Sequence, residues 1–382
     1  MRAIISGGGT GGHIFPAIAI ATALKEKDPG CEILFVGAQG RMEMEKIPAA
    51  GYRIIGLPVA GLKRSLSLSN LKLPFKIAKS VRMAKSIIKE FKPDVAIGVG
   101  GYASAPLLWA AQRLSIPTLI QEQNSYAGLT NKIIGKKADR ICVAYPGMER
   151  FFPKDRITVT GNPVRSSIHR PTEDERREAL SYYSLEPLTK TVFIVGGSLG
   201  SATLNNSVKS WIESGCPGGE GIQLIWQCGK YYINDIDAFM GSHPECKARI
   251  KHFAFIDRMD LAYAVADLII SRAGASTISE LCIAGKAVIF VPSPNVTEDH
   301  QTHNAMALVN AGAGKIITDA EAPAGLMKLA TGLVKDDTQI KHLEGNILKL
   351  ARPSAAEDIA GEVFSLYNRT KDNKRHCNAK QR

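Results

Sequence analysis

The chain lacks the cysteine pattern of a disulfide-stapled or zinc-binding protein. Its seven cysteines (Cys31, Cys142, Cys216, Cys228, Cys246, Cys282 and Cys377) are scattered, odd in number and include no C-x-x-C pair. Neither a disulfide framework nor a tetrahedral metal site is expected, and a reducing cytoplasm fits. There is no run of about 18 or more apolar residues, so no helix is expected to span a membrane. The apolar opening Met1–Ser6 is too short for a signal-peptide core and predicts a first strand. No glycine loop ends in Gly-Lys-Ser/Thr, which removes the P-loop. No acid follows the second predicted strand, where the chain reads Phe35-Val36-Gly37-Ala38-Gln39-Gly40; a dinucleotide-binding unit would place one there for the ribose. Recognised nucleic-acid-binding modules are also missing, so the formal charge of +12 does not point to nucleic acid. That charge favours other anionic partners, phosphorylated metabolites or an anionic membrane surface. Part of it lies after Tyr367, where Arg369, Lys371, Lys374, Arg375, Lys380 and Arg382 face only Asp372. This tail is polar and aperiodic, and residues 368–382 are expected to be disordered.

What is present is an α/β pattern that runs twice. The 382 residues, 45% apolar and 22% charged, suit two domains with real cores. Apolar runs at Ala3–Ser6, Ile33–Val36, Ile54–Leu57, Val95–Val99, Thr118–Gln121 and Arg140–Val143 alternate with helical stretches such as Pro16–Lys27, Leu71–Phe91 and Ala105–Leu114. The alternation predicts βαβ units and a parallel sheet. It restarts after Gly161-Asn162-Pro163-Val164-Arg165, with runs at Thr191–Val195, Ile222–Trp226, Leu268–Ile270, Ala287–Val291 and Lys315–Ile317. The predicted organisation is a first Rossmann-like domain over 1–163 and a second over 164–350. A helix over 351–367 could return to the first domain, and the basic tail follows.

Each half opens with a strand that runs into glycines and then a helix: Gly7-Gly8-Gly9-Thr10-Gly11-Gly12 in the first, Gly196-Gly197-Ser198-Leu199-Gly200 in the second. Glycine lets the backbone approach a phosphate without a Cβ, and the following helix adds unpaired N–H groups and the positive end of its dipole. A single such loop is as readily a tight turn with no ligand. Two in the same relative place favour the phosphate.

The ordered motifs identify a family. Gly8-Gly9-Thr10-Gly11-Gly12-His13-Ile14-Phe15-Pro16-Ala17 resembles the opening of the MurG family. Matches follow at Gly100-Gly101-Tyr102, Glu122-Gln123-Asn124, Ala127-Gly128-Leu129-Thr130-Asn131-Lys132, Gly161-Asn162-Pro163-Val164-Arg165, Gly196-Gly197-Ser198-Leu199-Gly200, Phe255-Ile256, Ser271–Glu280 and Asp299-His300-Gln301. The resemblance implies a GT-B fold, two Rossmann-like domains with parallel sheets facing across a cleft. It implies an inverting transferase that moves N-acetylglucosamine from UDP-N-acetylglucosamine to the C4 hydroxyl of the N-acetylmuramyl sugar of lipid I, forming lipid II in peptidoglycan synthesis. No cofactor or metal is implied. The location implied is peripheral, at the cytoplasmic face of the plasma membrane.

Carried over by that resemblance, Thr10, Gly11 and Gly12 face the sugar nucleotide and Asn124 its sugar. Arg165 and Ser198 would take the diphosphate, and Ile256 the uracil through its backbone. Gly274, Ala275, Ser276, Thr277, Ile278 and Ser279 open a helix toward the phosphates. Glu280 would hold the ribose hydroxyls and Gln301 the sugar hydroxyls. A guanidinium fork suits phosphate oxygens, and a positive helix end suits a leaving UDP without a metal. The bland readings are an interdomain ion pair for Arg165 and a surface or capping carboxylate for Glu280. Two residues compete as the base that deprotonates the acceptor hydroxyl. His13 is favoured, for an imidazole on a glycine loop; Glu122 is the second candidate, with a structural carboxylate as its plain reading. Relatives commonly carry a histidine where this chain has Gln121, which puts any imidazole role there in doubt.

Two basic-apolar segments, Val59–Arg64 and Leu71–Ile88 with Lys63, Arg64, Lys72, Lys76, Lys79, Arg82 and Lys85, suit an anionic membrane surface. An ordinary amphipathic helix with a solvated basic face explains the second equally well. The rival enzymatic reading is another GT-B enzyme, a glycolipid glycosyltransferase or a UDP-N-acetylglucosamine 2-epimerase.

Overall fold

The computed structural model of the chain describes residues 1–59, 73–165, 167–197 and 199–380. Two compact units emerge: Met1–Arg165 with Ser354–Arg382, and Ser166–Pro353. The first contains β1 (Arg2–Gly7), α1 (Gly11–Lys27), β2 (Glu32–Ala38), α2 (Glu43–Ala49), β3 (Arg53–Leu57), α3 (Leu73–Phe91), β4 (Val95–Gly100), α4 (Ser104–Arg113), β5 (Thr118–Glu122), α5 (Leu129–Gly135), β6 (Arg140–Val143) and β7 (Ile157–Val159). The second contains α6 (Glu173–Tyr182), β8 (Lys190–Val195), α7 (Ala202–Glu213), β9 (Ile222–Gln227), α8 (Ile233–Gly241), β10 (Ile250–Phe253), α9 (Met259–Val265), β11 (Leu268–Ser271), α10 (Ala275–Ala284), β12 (Val288–Phe290), α11 (His300–Val309), β13 (Lys315–Ile316), α12 (Ala322–Val334) and α13 (Asp337–Lys349). The last helix, α14 (Ala355–Lys380), belongs to the first unit.

Both sheets are parallel, and both are ordered in the doubly wound way. The first runs β3-β2-β1-β4-β5-β6-β7 and the second β10-β9-β8-β11-β12-β13. A parallel sheet is covered on both faces, so its central strands read as unbroken apolar runs. In the first unit, Ile4, Ala96 and Ile120 join one core, against α3 and α4. Ala3, Ile5, Ile97 and Leu119 join the other, against α1 and α14. The strand order reverses beside β1 in one sheet and beside β8 in the other. The loops that leave the carboxyl ends of β1 and β4, and of β8 and β11, therefore flank the crevice where such sheets bind ligands.

Two strands were not expected from the sequence, β7 and β10. Both are edge strands, and their residues are mostly only partly buried. Ile250-Lys251-His252-Phe253 shows no apolar run because one side of it meets solvent. The helix expected from Pro16 starts five residues earlier, at Gly11, with Pro16 inside its second turn; lacking an N–H, Pro16 leaves the Gly12 carbonyl without its helical bond.

The tail expected to be disordered is instead helical: α14 continues past Tyr367 as far as Lys380. Its residues after Gly361 include no glycine or proline, and lysine, arginine and asparagine can extend a helix already nucleated by packing. The packing comes from Ile359, Ala360, Val363 and Leu366, buried against Ile20, Leu24 and the first sheet. Burial of each of the three larger side chains contributes about 1.5–3 kcal/mol. Glu362 adds an ion pair with Arg140 at 2.8 Å and accepts a bond from Thr158 at 3.2 Å.

Candidate functional site

In the first unit the glycine loop joins β1 to α1. Thr10 is the N-cap residue, in extended backbone, and its side chain makes no capping bond. The N–H groups of His13 and Ile14 both reach the Thr10 carbonyl, at 3.1 and 3.2 Å. Among the described residues no acceptor faces the N–H groups of Gly11 and Gly12, and the first turn of α1 carries no acid. An uncapped helix start without nearby negative charge suits an anion or a sugar hydroxyl.

His13 is held through Nδ1. Its Nδ1 lies 3.0 Å from the Gly8 carbonyl oxygen and 3.4 Å from Thr10 Oγ1. A carbonyl only accepts, so Nδ1 carries the proton and Nε2 holds the lone pair of the neutral ring. Gly8 is in turn walled by Glu43 at the start of α2. A Cβ on Gly8 would overlap the Glu43 carboxylate, and one on Gly101 would overlap the Gly8 carbonyl. Glu43 is 1% exposed and accepts the N–H of Gly9 at 2.9 Å and of Ala38 at 3.0 Å. Glu43 is not legible in the sequence: a ribose-binding acid would lie closer to the end of β2 and face a ligand, whereas Glu43 lies beneath the loop, and buried acidity on an otherwise ordinary short helix gives no apolar signal.

Glu122, at the carboxyl end of β5, is equally enclosed. Oε1 accepts the Asn124 N–H at 3.0 Å and its Nδ2 at 3.3 Å, while Oε2 accepts the Gly128 N–H at 3.1 Å and Asn131 Nδ2 at 2.9 Å. Four donors converge on a carboxylate that is 1% exposed. This is the geometry of the structural alternative, a group that ties the 124–131 loop together and presents Asn124. Gln121 is also spent internally: it donates to Asn162 Oδ1 at 2.8 Å and accepts from Gln123, which donates to the Val99 carbonyl at 2.6 Å. Arg165 is exposed at the end of the first unit.

In the second unit the glycine loop leads from β8 into α7. Ser198 lies outside the described residues. Gly197 and Gly200 both have φ of +87°, and a Cβ on Gly200 would overlap the Cys228 carbonyl. Ser201 caps α7 by accepting the Leu204 N–H at 3.4 Å and receives Arg272 Nη2 at 2.6 Å. Gln227 ties two candidate segments together: its Nε2 donates to the Gly197 carbonyl at 2.8 Å and its Oε1 accepts the Ile256 N–H at 3.3 Å. The Ile256 N–H is thereby occupied, which leaves its carbonyl for a base edge.

The β11–α10 turn is the second helix start. Gly274 is the N-cap, makes no side-chain cap, and no acid sits in the first turn. The structure narrows the predicted six residues. The Ile278 N–H is bonded to the Gly274 carbonyl at 2.9 Å and its side chain is buried, and Ser279 Oγ turns back to the Ala275 carbonyl at 3.0 Å. The N–H groups of Ala275, Ser276 and Thr277 are what the turn can offer a phosphate. One turn further on, Glu280 is buried and its Oε2 accepts the Tyr263 hydroxyl at 3.0 Å. Gln301, on α11, spends its carbonyl oxygen on Ala273 N–H at 3.2 Å and Ser293 N–H at 2.9 Å, so its Nε2 is what it can offer a ligand. The two residues before α11, Glu298 and Asp299, sit at φ of +52° and +50°, a left-handed conformation that non-glycine residues hold only under constraint. Among the described residues no cluster of His, Cys, Asp and Glu is arranged to hold a metal.

The chain matches two known domains: the glycosyltransferase family 28 N-terminal domain over residues 3–143 and its C-terminal domain over residues 191–359. It is 51% identical over 372 residues to a UDP-N-acetylglucosamine--N-acetylmuramyl-(pentapeptide) pyrophosphoryl-undecaprenol N-acetylglucosamine transferase of Parabacteroides distasonis, covering 96% of this chain and 99% of that one. It is 55% identical over 367 residues to the protein of the same name in Phocaeicola vulgatus, covering 96% of each. A crystal structure of Acinetobacter baumannii MurG superimposes with a TM-score of 0.76 at 30% identity, over 95% of this chain and 99% of that one. A UDP-N-acetylglucosamine 2-epimerase structure shares the fold alone, at TM-score 0.64 and 15% identity, over 96% of this chain and 97% of that one.

Proposed function

This chain belongs to glycosyltransferase family 28, and we propose that it moves N-acetylglucosamine from UDP-N-acetylglucosamine to the C4 hydroxyl of the N-acetylmuramyl sugar of lipid I, with inversion, making lipid II for peptidoglycan. The observation that carries this reading is similarity at half the residues or more, along the whole chain, to relatives of that one name. The epimerase alternative rests on fold alone.

The chemistry follows from the site. His13 Nε2 takes the proton from the acceptor hydroxyl as its oxygen attacks C1 of the donor sugar. The bond from C1 to the β-phosphate oxygen breaks, and UDP leaves with the electron pair. Its charge is met by the uncapped N–H groups of Ala275, Ser276 and Thr277 and by the positive end of α10, with Arg165 and the Gly196–Gly200 loop serving the diphosphate. Glu280, oriented by Tyr263, takes the ribose hydroxyls; Gln301 Nε2 and Asn124 take the sugar. Thr10, Gly11 and Gly12 face the sugar nucleotide. Glu122 keeps Asn124 in place and is assigned no proton.

We assign the membrane contact to α3, α4 and α5, which pack in succession along one face of the first sheet. Val81, Ala84, Ile87 and Ile88 of α3 enter the core. Its outward side carries exposed Lys76, Ile77, Lys79 and Arg82. Trp109, Leu129 and Ile133 are exposed on the next two helices, with Arg113 stacked on Trp109 at 4.5 Å. Cations beside exposed apolar side chains suit a peripheral seat on the anionic cytoplasmic leaflet. Val59–Arg64 and Lys72 fall outside the described residues except at Val59. No helix among the described residues is long and apolar enough to cross a membrane.

The test is incubation with radiolabelled UDP-N-acetylglucosamine and a lipid I analogue. A disaccharide-lipid product is expected, its rate collapsing in His13→Ala; absence of product from the wild-type chain overturns the function. Activity that survives in His13→Ala overturns the base. Binding to anionic vesicles should weaken with salt, and indifference to both salt and lipid charge removes the membrane assignment.

A further inference from the structure

The Gly8–Gly9 peptide group is bonded at both ends. On one side Glu43 Oε2 accepts the Gly9 N–H at 2.9 Å. On the other, the Gly8 carbonyl accepts His13 Nδ1 at 3.0 Å. The C=O and N–H belong to one trans amide, so carboxylate, peptide and imidazole form one hydrogen-bonded chain. A carboxylate on the N–H of an amide draws its electrons toward the carbonyl oxygen, which strengthens what that oxygen accepts. An imidazolium gains more from a more negative carbonyl than a neutral imidazole does.

The geometry leaves this chain little freedom. Glu43 has no outlet to water, and its second oxygen is pinned by the Ala38 N–H at the end of β2. Gly8 and Gly37 both lack a Cβ where the Glu43 side chain lies, and Gly101 presses its backbone on the Gly8 carbonyl. Around the ring, the β4 loop contributes Gly100, and the loop itself Thr10. Arg41, two residues before Glu43, places its guanidinium 6.0 Å from the ring of Tyr102, which follows Gly101. Glu122, on the next strand, turns both oxygens into its own loop. The negative group coupled to this peptide is Glu43.

We propose that Glu43 is a positioning residue of the transferase, acting on His13 through the Gly8–Gly9 peptide: it fixes the Nδ1–H tautomer and raises the proton affinity of Nε2. This rests on His13 as the base. The role parallels a buried acid behind a catalytic histidine, with one backbone amide interposed.

Two measurements on the full chain test it. The first is a side-chain NMR titration of protein labelled with 15N-histidine, with His13 assigned by its loss in His13→Asn. Wild type should show neutral His13 protonated at Nδ1, and its titration midpoint should fall by about half a unit or more in Glu43→Gln. The second is the kcat–pH profile, whose acidic limb should move the same way in Glu43→Gln as kcat drops about tenfold, while the KM for UDP-N-acetylglucosamine stays put. Glu43→Asp, which keeps the charge, should restore the limb. A wild-type ring protonated at Nε2 overturns the proposal even if every Glu43 variant misfolds. So does an unmoved midpoint in a folded Glu43→Gln, since a merely structural carboxylate would alter melting without moving it. The NMR midpoint needs no turnover. If His13→Ala keeps its activity, the assignment of the base fails while the coupling is still judged by the titration.

Discussion

The imidazole of His13 rests on the bare backbone of Gly100. A Cβ at Gly100 would lie 2.7 Å from Cδ2 and 2.8 Å from Nε2, and Gly100 itself holds a φ of +105°. No side chain fits between the ring and the end of β4, so the close approach is what aims Nε2. Gly100→Ala is expected to push the ring away and to strain the turn. A displacement of about 1 Å at a reacting group costs on the order of 100-fold in kcat. The KM for UDP-N-acetylglucosamine should change little, because Gly100 is assigned no contact with the donor. Steady-state kinetics with the donor varied separates the two; a loss confined to KM would mean that Gly100 serves donor binding and not the base.

Glu122 predicts a different signature. Four donors end on its carboxylate, and Gln in its place can accept at only one oxygen. Glu122→Gln should leave a buried amide facing another donor and cost about 1–3 kcal/mol of stability, read as a lower urea midpoint. Its kcat should fall through misplacement of Asn124, with the acidic limb of the pH profile unmoved. If that limb vanishes in Glu122→Gln, the carboxylate and not the imidazole is the base.

These two residues mark where the sequence stops being legible. Central strands such as β4 declare themselves, because a strand buried on both faces must be apolar at every position; edge strands β7 and β10 do not, because one side of each is wet. The glycine loops were readable from strand–glycine–helix order. What each glycine makes room for was not: Gly100 accommodates a ring 87 residues earlier in the chain, and Gly8 a carboxylate from α2. Those pairings depend on how β1, β2 and β4 lie side by side, a tertiary fact with no local pattern. The same holds for Glu122, whose neighbours Asn124, Gly128 and Asn131 were visible as a motif while their shared target was not.

In the second unit, Tyr263 aims Glu280. The hydroxyl donates to Oε2 at 3.0 Å, both residues are buried, and the bond fixes which way the carboxylate plane faces. Tyr263→Phe removes the donor and little volume. It is expected to raise the KM for UDP-N-acetylglucosamine about three- to tenfold, the worth of one hydrogen bond of about 1 kcal/mol, with kcat nearly unchanged. Isothermal titration with UDP should show the same weakening, whereas uridine-free sugar phosphates should bind as before. An unchanged affinity for UDP would detach Glu280 from the ribose.

The thiols give the chain an alkaline limit. Among the described residues six cysteines are free and buried. Burial pushes Cys228 up from 9.0 to about 11 and Cys282, on α10 two residues past Glu280, up to about 12. A thiol is neutral when protonated, so the folded state holds these protons more tightly than the unfolded chain, whose thiols ionise near 9. The stability they contribute is complete below that pH and is lost as pH rises toward 11 and 12, by up to about 1.4 kcal/mol per pH unit for each thiol. Melting temperature should therefore be flat near neutrality and decline above pH 9. The decline should be shallower in Cys228→Ala/Cys282→Ala, although that variant starts lower because its core has lost two sulfurs. A native thiol titration should run parallel: slow reaction of the buried thiols at pH 8, quickening above pH 9 in step with the falling melting temperature. An identical alkaline slope in the double variant would shift the cause to other groups, among them the buried Tyr183 hydroxyl, which burial also pushes upward.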